Sequence, residues 1–199
     1  MTSPRVLKAA FVRFEADAPQ GRVIAFQYNP ETLQRTLTIA DQVTQYKETI
    51  KFTLSLDASD ALEHGDTTAS SVGIYPALSA LEMLLQPAEN TGGFLTDLWS
   101  WITPRDRPFT LFVWGAHRVL PIRVLQLVIR EQMFDATLNP IRASIDVTLE
   151  TLGDAELNRI PRAKAIMDSH LSEKESLARQ SVFTGSAEEL LKDVSSRHG

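Results

Sequence analysis

The chain has 199 residues, 43% of them hydrophobic, four histidines, no cysteine and a formal net charge of -5. That length supports one sizeable core with room for an appendage, and the lack of cysteine removes disulfides, thiolate metal sites and a cysteine nucleophile, in keeping with a reducing compartment. An acidic chain without a run of Lys and Arg argues against a nucleic-acid partner, because counterion release needs clustered cations.

Met1 to Ala10 carries Arg5 and Lys8 and has no apolar stretch of the signal-peptide kind. The longest apolar run, Leu120 to Ile129, is interrupted by Pro121, Arg123 and Gln126 and falls short of the roughly 20 residues of a membrane span. A soluble, cytoplasmic protein with no direct membrane insertion is the expectation. Residues 6–14 and 22–28 read as two strands joined by Asp17-Ala18-Pro19-Gln20-Gly21. Asn29-Pro30 ends the second, since proline lacks the ladder donor and restricts the residue before it. Polar sequence follows.

From Thr44 to Asp57 the alternation is clearest: Ile50, Phe52, Leu54 and Leu56 interleave with Thr49, Lys51, Thr53, Ser55 and Asp57. A period of two gives one buried and one solvated face, as in an antiparallel sheet. Ala58 to Gly73 has few apolar groups and reads as a mobile loop. Beyond it, Leu78, Leu81, Leu84 and Leu85 recur at helical steps, with Pro76 in a first turn and Pro87 as a stop. The segment 92–104 is unusual, with Phe94, Leu95, Leu98, Trp99 and Ile102 at helical spacing and Trp101 beside them. It reads either as a lid on the core or as a contact arm for a neighbouring subunit, since aromatic residues anchor interfaces.

Phe109 to Gly115 is apolar on both faces, as expected of a strand covered on both sides, and Val119 to Ile129 continues in that style. Ile141, Ala143, Ile145, Val147 and Leu149 alternate with Arg142, Ser144, Asp146, Thr148 and Glu150 to give another half-buried strand after the Asn139-Pro140 turn. Past Gly153 the sequence is charge-mixed. Leu157, Ile160, Ala163, Met167, Leu171 and Leu177 are spaced for an amphipathic helix that Pro161 starts or kinks. A break at Thr184-Gly185-Ser186 precedes a second helical stretch with Leu190, Leu191 and Val194, where Ser186 and Glu189 form a capping-box signal. The division expected is a β-domain over 1–153 and a helical extension over 154–199. The charges of that extension read as a solvated helix face, or as a docking surface for a partner.

Chemistry is hard to place. His64, His117, His170 and His198 fall in separate segments without metal-helix spacing, and there is no Gly-x-Ser-x-Gly elbow. The carboxylate pairs Asp57/Asp60 and Glu188/Glu189 lie on a loop and a tail, and Gly92-Gly93 lacks the Gly-Lys-Ser/Thr ending of a phosphate loop. A non-enzymatic protein with no cofactor and no metal is expected.

The stretch Phe26-Gln27-Tyr28-Asn29-Pro30-Glu31-Thr32-Leu33 resembles the opening signature of the tube-domain proteins of contractile injection systems, the phage-tail-like particles of bacteria. Lys51-Phe52-Thr53-Leu54-Ser55-Leu56-Asp57, the helix from Tyr75 to Leu85, Pro108 to Gly115 and Asp146-Val147-Thr148-Leu149-Glu150 follow in the family's order, so the likeness spans residues 5–152. The resemblance implies a mainly β (α+β) fold, an antiparallel β-barrel or sandwich with one packed helix, to which this chain adds its helical extension. It implies a structural role as a hexameric baseplate ring that adapts the spike hub to the inner tube. Partners would be other copies of the chain, the hub protein, the tube protein and, through the C-terminal tail, other baseplate or sheath subunits. Relatives usually carry a lysin-motif module after the tube domain. Residues 154–199 are too short and too helical for one.

A strand facing the channel would present its polar alternates, with Lys51, Thr53, Ser55 and Asp57 as the candidate lumen face. Candidate interface residues are Phe94, Leu98, Trp99 and Trp101 in the insertion, and Met167, Leu171, Leu177, Leu190 and Leu191 in the extension. Two other roles fit the same pattern: a cap adaptor at the distal end of such a particle, or a small-ligand-binding β-barrel with Leu111 to Trp114 and Val124 to Ile129 lining a pocket.

Overall fold

The computed structural model describes residues 7–15, 20–39, 46–86 and 108–180. Seven strands, β1 (Ala10–Phe14), β2 (Arg22–Ala25), β3 (Gln34–Thr38), β4 (Lys47–Asp57), β5 (Phe109–Val113), β6 (Val119–Phe134) and β7 (Pro140–Thr151), form one antiparallel sheet in the order β2-β1-β5-β6-β7-β4-β3. The mainly β, α+β architecture expected from the alternating runs is therefore present, as a curled and unclosed sheet. Short helices α1 (Ser59–Glu63), α2 (Thr67–Val72) and α3 (Tyr75–Glu82) follow β4, and α4 (Asp154–Leu157) and α5 (Pro161–Gln180) follow β7.

Ring contacts reveal the curl. Phe112 on β5 lies 5.5 Å from Phe52 on β4, and Phe52 lies 5.7 Å from Phe26 and 6.5 Å from Phe11 on β1. In a flat sheet β4 and β5 would stand three strand spacings apart, about 14 Å. The sheet must fold over so that these rings meet, and they fill its interior together with Ile50, Leu120, Ile122, Ile145 and Leu149. Phe112, one of the residues that sequence suggested as a pocket lining, packs among these rings.

β5 is buried on both faces, as its composition predicts. Phe112 enters the aromatic core, while Phe109 turns the other way and stacks at 5.0 Å on Phe14. The Arg162 guanidinium of α5 lies 4.1 Å over the Phe14 ring. Leu157, Ile160, Ala163 and Met167 join the same hydrophobic cluster as the strands. The first half of α5 therefore shares the core of the strands, and β6 is the strand it packs against.

The expectation of a mobile loop over 58–73 is corrected by α1 and α2. Asp66 caps α2 by accepting from the Ala69 N–H at 2.8 Å, and Ala58 and Ala69 are buried. Local side-chain capping orders what its low apolar content suggested would stay free. At Gly73 the backbone has φ 57°, and a Cβ would stand 2.2 Å from the Pro140 carbonyl oxygen, beside the Ile74 N–H bond to that oxygen at 2.9 Å. Gly73→Ala is expected to lower stability by roughly 2–3 kcal/mol through strain alone, measurable as a shift of the urea midpoint at constant slope.

Candidate interaction surface

The strands β6, β7, β4 and β3 share a polar outer face. Register places Lys51 against Thr148, Thr53 against Asp146, Ser55 against Ser144 and Asp57 against Arg142. Thus the four residues that alternation singled out on β4 sit in one sheet with the equivalent residues of β7; Lys51, Thr53 and Ser55 are exposed and Asp57 half-buried. Beyond them Gln34 pairs with Lys51 on β3, and Gln126 with Thr148 on β6.

The charges on this face are largely compensated. Asp146 accepts from Thr53 at 2.8 Å and from Arg130 at 2.6 Å, contacts that hold its carboxyl below the usual range. Asp57 is likewise lowered, by bonds from Ser59 and then by the Arg142 guanidinium at 2.6 Å. Burial would raise Glu150, but Lys47 and Arg123, each 2.6 Å away, hold it down. Arg123 also reaches Glu156 at 3.2 Å, tying the sheet to α4. The exposed Arg130–Asp146 pair adds little stability by itself; together these pairs produce a face without a large field of one sign.

Both lateral edges of this four-stranded unit are open among the described residues. β3 pairs with β4 on one side and with no strand on the other. β5 covers β6 only along Val119–Ile122, so residues 123–134 pair with β7 alone. Both edges carry exposed apolar side chains: Leu37 on β3, Ile39 just after it, and Leu125, Val128, Met133 and Phe134 on β6. Leu125 is thrown outward by a bulge between Val124 and Gln126. At the tip of the β6–β7 hairpin Met133 and Leu138 hold φ of 53° and 66°, unusual for residues with a Cβ. Asp135 fixes the turn: backbone N–H bonds from Asn139 and Thr137, with the Asn139 amide, depress its pKa to about 2.

One side-chain amide bridges the seam of the curled sheet, and a second prolongs the β1–β2 pair. The Gln27 carboxamide accepts from the Asp57 N–H at 2.9 Å and donates to the Asp57 carbonyl at 2.6 Å. Asn29 accepts from the Ala9 N–H and donates to the Leu7 carbonyl, both at 2.9 Å. One amide thus imitates a strand neighbour for the end of β4, and the other does so for the approach to β1. Sequence reasoning missed this role; the Gln-x-Asn spacing straight after a strand was its trace. Residues 27–32 line an open groove of about 660 Å³ with Lys8, Thr53 and Ser55.

Other candidates scatter. Met167, a candidate interface residue, is buried in the chain's own core, so within one copy the helical stripe through it is already covered. Leu171 is half-buried and Leu177 exposed. Phe94, Leu98, Trp99, Trp101, Leu190 and Leu191 lie outside the described residues. Among the described residues no three His, Asp or Glu side chains gather as a metal site, and no helix is long and apolar enough to cross a membrane. The chain matches no protein-family model and no curated protein sequence.

Proposed function

We propose that this protein is a structural ring subunit of a contractile, phage-tail-like particle, joined to its copies through the edges of the β6–β7–β4–β3 sheet. The observation that carries this reading is the pair of edges, unpaired among the described residues, on either side of one polar, charge-compensated face. An open edge with exposed apolar groups invites strand pairing, and a head-to-tail contact that repeats by rotation closes into a ring. Joining β3 of one copy to the distal part of β6 on the next would pair the backbone groups of both. It would also turn Lys51, Thr53, Ser55 and Asp57 toward a common channel. The resemblance of Phe26 to Leu33 to tube-domain proteins adds the number six and a place between hub and tube.

Sedimentation velocity of the purified chain, alone and with candidate hub and tube proteins, tests this. The expected species is six times the 22.2 kDa protomer, seen as rings in electron micrographs. A protein that stays monomeric with every candidate would overturn the proposal.

A further inference from the structure

We propose that the second half of α5 is a proton-released latch: neutral His170 allows residues 170–174 to lie on the domain, and protonation of His170 lets them go. The motive is the way the helix changes its means of attachment along its length. Ala163 and Met167 fix its first half by apolar burial. From His170 onward the described attachments are ionisable almost throughout, apart from half-buried Leu171. His170 is only 5% exposed and its Nε2 has no hydrogen-bond partner among the described residues. Glu173 meets His117 of the β5–β6 turn at 2.5 Å. Lys174 donates to Tyr46 and stands 3.8 Å from Glu48 on β4.

Glu48 is itself fully buried, with Arg35 of β3 on one oxygen and no hydrogen bond to the other. The groups acting on His170 are therefore Lys174 and Glu173 on its own helix, Glu48 on β4 and Arg118 before β6. Burial, Lys174 and Arg118 disfavour its charged form, and they outweigh Glu48 and Glu173, so its pKa lies below the ordinary 6.5. The linkage sign follows. A histidine whose folded pKa is depressed contributes docking stability above its free pKa, and this is lost as pH falls through 6.5 toward the folded value. Glu48 does not interfere in that window: burial would raise it, but Arg35, Lys174 and Arg118 keep it below 4.5. The His117–Glu173 pair is exposed and counts for less than a charge placed in a buried site.

Hydrogen exchange of the full chain at about pH 7.5 and about pH 5.5, corrected for intrinsic rates, reads the latch directly. Residues 170–174 should lose protection at the lower pH, by up to about tenfold, the limit set by an ordinary histidine value of 6.5 one pH unit above the lower condition, while Ala163 to Met167 keep theirs. His170→Gln should abolish the pH dependence and His117→Gln should leave it in place. Unchanged protection in the wild-type chain overturns the proposal, as does loss of the dependence in His170→Gln and His117→Gln alike. Should His170→Gln fold poorly, the ring protons of wild-type His170 decide by NMR titration: a midpoint below 6.5 that tracks the exchange supports the latch, and one at or above 6.5 with the helix still docked refutes it.

Discussion

A chain cut after Gly153 is expected to lose roughly 5–8 kcal/mol, because Leu157, Ile160 and Met167 each bury a large apolar side chain at about 1.5–3 kcal/mol apiece. The loss is amplified on the other side of the contact, where β6 packs against α5 and Arg162 lies over the Phe14 ring. A domain of this size has a total stability of about 5–15 kcal/mol. The truncated protein should therefore be largely unfolded, or unfold at much lower urea, when followed by circular dichroism. This is the reverse of what a separately folded extension would do. A truncated chain with the full-length midpoint would show that the helix adds nothing to the core.

Gln27→Ala is expected to cost about 2–4 kcal/mol, since the lost amide satisfies both the N–H and the carbonyl of Asp57 at a partly buried seam. Asn29→Ala removes the same pattern from Ala9 and Leu7 at a more exposed place, where water can substitute, and should cost about 1 kcal/mol. Gln27→Glu separates the hydrogen-bond role from packing: it keeps the size and the acceptor but loses the donor to the Asp57 carbonyl. It should approach the alanine variant in urea melts. If Gln27→Ala and wild type melt alike, the seam is held by ring packing of Phe26 alone.

Strands with one face on the core were legible because burial imposes a period of two. β4 and β7 follow from Ile50 to Leu56 and from Ile141 to Leu149, with bounds correct to within a few residues. β5 could be read as doubly covered, although nothing in its own residues said what would supply the cover. β3 went unseen because Gln34 to Thr38 has no apolar alternation: it is an edge strand with its single leucine half-exposed. The outer half of β6 was missed for a related reason. Residues 130–134 pair with β7 beyond the core, so no burial stamps a pattern on them.

The polar face was readable strand by strand, and the structure supplies what sequence could not, the register that sets Thr53 beside Asp146 and Asp57 beside Arg142. The helical stripe at 157, 160, 163 and 167 was also visible. Its partner was not, since an amphipathic helix looks the same whether it docks on its own sheet or on another chain. The Gln27 and Asn29 amides belong to a third kind of feature, in which polar residues complete a sheet edge in a way that no periodicity encodes.

Thiol cross-linking tests the edge-to-edge ring most directly, because the natural chain has no cysteine. Leu37→Cys on β3 and Val128→Cys on β6 are exposed positions on the two open edges, separated within one copy by three strand spacings and five residues of register, roughly 20 Å. In a chain carrying both, a short bismaleimide should yield a ladder of products ending at six copies, while either variant alone yields none beyond dimer. Products no larger than one chain, under conditions in which the partner proteins assemble, would contradict the account.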